Sequence, residues 1–136
     1  MKSLHILQRL AGQAVDRERQ VLQAINNDIA AVEAAIETCL ISIDGEAAQP
    51  LDFMTSGATL IAYIDAQKKR ILDLNRQLAE LNQRRDKQVE RVRQERTEQK
   101  RFERLAERRS LQQAQEEETK QQKAIDELAN IKRGQH

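Results

Sequence analysis

A chain of 136 residues with 33% charged side chains, 2% aromatics and no Trp has little to build a thick globular core from, because aromatics carry much of the buried area in compact domains. The formal net charge of +1 offers no global field for nucleic acid or an acidic membrane, and a lone cysteine, Cys39, excludes an internal disulfide framework and fits a reducing cytosol. Scarce Gly and Pro with abundant Ala, Glu, Gln, Arg and Leu is the composition of long helices and coiled coils.

The start, "MKSLHILQRLAGQA", has a short apolar patch broken by Gln8 and Arg9, unlike a signal peptide. No apolar run in the chain approaches the ~18 residues of a membrane span. Leu4, Leu7, Ala11, Ala14, Glu18, Val21 and Ile25 are spaced alternately by three and four, which predicts a coiled-coil seam interrupted once by Glu18. Ile29, Val32, Ile36, Cys39 and Ile43 continue it. The steps from Val21 to Ile25 to Ile29 are both four, which predicts a stutter in the heptad. Ser3 as N-cap and Gly45 as a stop place helix 1 at about residues 3–43. Cys39 lies on this seam and reads as a small core residue.

Charges nearly vanish between Ile41 and Ile61, a stretch that holds the only proline, Pro50, with Gly45 and Gly57. It reads as the turn of a hairpin, a loop at about residues 44–55, because neither flank could bury its stripe alone. Phe53 and Met54 in that turn either tuck against the hairpin end or form a contact tip.

Thr55 or Ser56 serves as N-cap of the second element. Its seam reads Leu60/Ile61, Ile64, Ile71, Leu74, Leu78 and Leu81, then Arg85, Val89, Val92, Gln99, Phe102 and Leu105/Ala106. No Gly or Pro appears from Ala58 to Arg133, so helix 2 is expected at about residues 56–132. The fold class is all-α: one domain over residues 1–136, a two-helix antiparallel coiled-coil hairpin with a longer second helix. At 1.5 Å per residue the arms measure ~60 and ~115 Å. Pairing from the loop outward would cover helix 2 to about residue 95 and leave the rest overhanging. The alternative is pairing between two chains.

Between Arg84 and Arg109 eleven Lys or Arg outnumber six Asp or Glu, a local surplus of five. One reading is a solvated helix laced with pairs such as Glu98 with Arg101 and Arg104 with Glu107. The other is an electrostatic face for an acidic partner. The interleaved acids and missing aromatics argue against nucleic acid. After the poor seam of "LQQAQEEETKQQK", apolar residues return at Ile125, Leu128, Ala129 and Ile131. Either this stripe caps the hairpin against Leu4, Leu7 and Leu10, or it waits for another protein. His5 and His136 are too isolated for a metal site or a general base, and no phosphate loop, nucleophile elbow or zinc spacing occurs. No enzyme activity, cofactor or metal is expected.

A short arm, a longer basic arm and the C-terminal "QQKAIDELA" together resemble the FliJ family, the flagellar type III export stalk proteins. Gln122, Lys123, Asp126, Glu127 and Ala129 match the family's tail pattern, and "LIAYIDAQ" is similar to its stretch at the start of helix 2. The resemblance implies a cytoplasmic monomer located at the membrane-associated export apparatus and peripheral to the membrane only through partners. Its implied partners are the hexameric export ATPase, the cytoplasmic domain of the export gate and export chaperones, with no nucleic acid. It carries Leu60, Ile64 and Gln67 onto the gate-binding face near the tip, where Phe53 is a further contact candidate, and the tail residues onto the ATPase-engaging end. Helix 1 of the family contributes tyrosines to the gate face, and here Cys39 and Ser42 stand instead. A stalk of a virulence type III secretion system, or a generic coiled-coil tether, is the alternative.

Overall fold

Lys2–Ala47 and Ser56–Gly134 are continuous α-helices, α1 and α2. They belong to a computed structural model that describes residues 2–48 and 56–134. Neither helix contains proline, and strong helix formers fill their outward positions. α1 runs through Gly45, past its expected end at about residue 43. Gly45 keeps a helical φ, and a glycine costs a helix only about 1 kcal/mol, which weakens it without stopping it. The Ala48 N–H donates to the Asp44 carbonyl at 3.0 Å and completes the last turn. Ser3, expected as a cap, is one residue inside α1. Thr55, Phe53, Met54 and Pro50 lie outside the described residues. α2 ends with Lys132 and Arg133 in its last turn, where cations meet the negative end of the helix dipole.

The two helices pack against each other as an all-α helical hairpin. The chain forms two compact units, one made of Asp16–Arg93 and the other of residues up to Val15 with those from Gln94 onward.

In the Asp16–Arg93 unit, α1 turns Glu18, Leu22, Ile25, Ile29, Val32, Ile36, Cys39 and Ile43 inward. α2 answers with Leu60, Ile64, Gln67, Ile71, Leu74, Leu78, Leu81, Arg85, Gln88 and Val92. Both series step by three and four without a break. The expected stutter is absent, because the inward residue is Leu22 and Val21 stays 47% exposed. On α2 the same correction replaces Val89, which is exposed, with the buried Gln88. The Gln88 side-chain amide donates to the main-chain carbonyl of Glu18 at 2.9 Å and to the Glu18 carboxylate. Cys39 is buried, as its seam position predicts.

In the other unit the inward residues are Leu4, Gln8, Ala11 and Val15 on α1, and Glu95, Gln99, Phe102, Ala106 and Arg109 on α2. Leu7 is exposed, and Ala14 is half-buried beside the seam. The physical reason is one of phase. A shift of one residue turns a helix by about 100°, so a seam that accepts Gln8 and Glu18 stays in step and brings Val15 and Leu22 inward. Val15 is the most completely buried of the large side chains, at 2% exposure. A Cβ on Gly12 would sit 3.6 Å from the Gln99 Nε2, so backbone and side chain come close there without crowding.

Burial on α2 continues to Arg109, beyond the residue 95 expected from the sequence. The seam starts at Glu46 and Leu60, not at the expected ends of the helices, and this slides the pairing along α2 by about two turns.

Candidate functional site

Every residue from Ser110 to Gly134 is exposed, yet the backbone is helical throughout. The heptad positions that face α1 up to Arg109 continue as Gln113, Glu116, Lys120, Lys123, Glu127 and Asn130, all of them polar. The seam therefore ends chemically where α1 begins. The apolar residues of this segment occupy other positions. Leu111, Ile125, Leu128 and Ile131 are 62, 59, 65 and 59% exposed. The option that this stripe packs on the start of α1 does not hold, since Leu7 and Leu10 are themselves open to solvent.

The tail residues singled out from the sequence fall on this exposed helix. Gln122 donates to the Asp126 carboxylate across one turn at 3.4 Å, and with Glu118, Thr119 and Lys123 these two line a shallow groove. Glu127 and Ala129 are exposed alongside. A second groove runs between Arg104, Leu105, Arg108, Leu111 and Gln112 and joins the basic stretch to the first apolar residue of the tail.

Within the basic stretch, Arg101 pairs with Glu98 at 3.3 Å and Arg93 with Glu90 at 3.9 Å. Arg104 and Glu107 do not reach ion-pair distance. These exposed pairs are each worth a few tenths of a kcal/mol and support the helix locally.

The tip residues are placed differently. Leu60, Ile64 and Gln67 lie on the seam of the Asp16–Arg93 unit and are half-buried there, so only part of each side chain is left for another surface. Ile61 on α2 and Ile41 on α1 are open apolar residues at this end, at 63 and 62% exposure. Phe53 lies outside the described residues. Tip and tail residues belong to different units.

What sequence reasoning missed is the membership of Leu111 and Ala114 in the tail stripe. The signal was present as spacing: Leu111, Ala114, Glu118, Gln121, Ile125 and Leu128 step by three and four, with two polar residues in the middle that hid the series.

No cluster of three metal-ligating side chains occurs among the described residues, and no described helix is long and apolar enough to cross a membrane. No protein-family model, curated protein or solved structure matches the chain.

Proposed function

We propose that this chain is a non-catalytic stalk of the FliJ kind, a component of a flagellar type III export apparatus. In this reading the uncovered end of α2 engages the hexameric export ATPase. The tip contacts the cytoplasmic domain of the export gate, and the protein assists export chaperones at the cytoplasmic side of the membrane. The observation that carries the reading is the segment 110–134, a helix held out with nothing of its own chain on it, bearing Gln122, Lys123, Asp126, Glu127 and Ala129 on its surface. A helix that hides no face of its own has its whole circumference available to the inside of a ring. The surplus of five positive charges between Arg84 and Arg109 suits an acidic collar around the same helix. At the tip, Ile61 joins Leu60 and Ile64 as the residue with most area to offer.

The test is ATP hydrolysis by the export ATPase of the same organism, with and without this protein and with a version truncated after Arg109. Stimulation by the full chain and its loss on truncation is the expected result. Unchanged hydrolysis with no co-elution of the two proteins would remove the stalk reading and leave a coiled-coil tether. The same assay against the ATPase of a virulence secretion system separates the two kinds of stalk.

A further inference from the structure

The tail of α2 carries a second series at coiled-coil spacing, distinct from the seam that faces α1. Leu111, Ala114, Glu118, Gln121, Ile125 and Leu128 step by three, four, three, four and three, and all six are exposed. Read backwards, the series has the same character: two apolar residues, two polar, two apolar. A stripe of that kind is complementary to itself when two copies run in opposite directions, which is the requirement of a two-fold interface.

We propose that the uncovered end of α2 pairs with the same segment of a second copy of this chain, antiparallel, with Leu111 opposite Leu128 and Ala114 opposite Ile125 of the second copy. That register sets Glu118 against Gln121 at the centre, a polar layer of the sort that fixes alignment. It also sets Glu107 against Lys132, which continue the same series by a step of four at its two ends, twice by symmetry. From Leu105 to Gly134 no residue is set directly opposite another of like charge. Parallel, in-register pairing would instead set the stripe's Glu107, Glu118 and Lys132 against their own copies. Charge thus selects the antiparallel arrangement over the parallel one. It also selects a second copy over a strongly charged partner, because the tail carries Lys120, Lys123, Lys132 and Arg133 against Glu116, Glu117, Glu118, Asp126 and Glu127 and is close to neutral.

The interface is small, so the dimer is weak and forms as concentration rises. The inference is independent of the export reading. Where both hold, the dimer keeps unengaged copies paired, and engagement of the tail by a partner releases a monomer.

Sedimentation equilibrium of the full chain tests it, over a loading series reaching about 1 mM. The weight-average mass is expected to rise from 15.7 kDa toward twice that value. Glu107→Lys puts lysine against Lys132 at both ends of the interface and is expected to weaken association about tenfold or more. The double exchange Glu107→Lys with Lys132→Glu restores the attraction and the association. Circular dichroism on each variant checks that helix content is unchanged. A constant monomer mass through the series would overturn the proposal. A double variant that associates no better than Glu107→Lys would overturn it as well.

Discussion

Gln88 of α2 donates its side-chain amide to the main-chain carbonyl of Glu18 on α1, at 2.9 Å, and to the carboxylate of the same residue. At 5% exposure Gln88 is the buried polar side chain of its unit, and no buried side-chain nitrogen or oxygen among the described residues is left without a partner. Apolar residues slide past one another at little cost, whereas a buried amide must find its acceptors, so this pair marks the register of the hairpin. Gln88→Ala is expected to lower the unfolding free energy by about 1–2 kcal/mol. Glu18→Ala is expected to cost less, because the main-chain acceptor survives. Urea denaturation of both variants reads the difference, and equal losses would refute the account.

The phase of the seam is testable on two valines. Val15 is 2% exposed and Val21 47%. Val15→Ala removes methyl groups from a filled site and should cost about 2 kcal/mol. Val21→Ala should cost well under half of that. Thermal unfolding of the pair decides between the phase with Val15 inward and the one with Val21 inward.

Gly12 and Gly45 sit inside α1 with helical backbone and no steric need for glycine. An added Cβ would be 3.6 Å from its nearest neighbour at Gly12 and would meet nothing within 4 Å at Gly45. Gly12→Ala and Gly45→Ala are each expected to stabilise the protein by about 0.5–1 kcal/mol. A drop in midpoint for either would mean that its neighbours have less room than the structure gives them.

Deleting everything after Arg109 removes a helix that buries nothing. The unfolding midpoint should stay within about 0.5 kcal/mol of the full chain, while the helical signal in circular dichroism falls in proportion to the residues removed. A large loss of stability would show that the tail supports the hairpin.

Cys39 is 4% exposed. Its thiol is expected to react with a disulfide reagent only when the hairpin opens, and to react at once in urea. Rapid modification of the native protein would contradict its place in the seam.

Fold class was legible because two different signals agreed: the only proline and two of the four glycines gathered around Gly45, Pro50 and Gly57, and three-and-four spacing on both sides of that region. The phase of α1 was not legible from apolar residues alone. Leu7, Ala14 and Val21 form as regular a series as Gln8, Val15 and Leu22, and the inward series is the one that contains a glutamine. The extent of pairing depended on where the turn begins, and Gly45 reads as a stop although its backbone continues the helix. At the candidate site, Ile125, Leu128 and Ile131 were visible as a stripe, and their exposure follows from the polar residues that replace the seam after Arg109. Leu60 and Ile64 carried both a seam spacing and a family position, and the sequence had no means of separating a residue turned inward from one turned outward.

The two residues of the Glu18–Gln88 contact are separated by 70 positions in the chain. A ribosome adding roughly 5–20 residues per second makes Gln88 about 4–14 s after Glu18. For that interval α1 exists without the strand of helix that covers it, and its stripe faces chaperones and neighbouring nascent chains. Gln8 and Glu18, which look like flaws in a finished seam, interrupt that stripe while it is open. Their polarity lowers the chance that the half-made protein adheres to something else before its own second arm arrives.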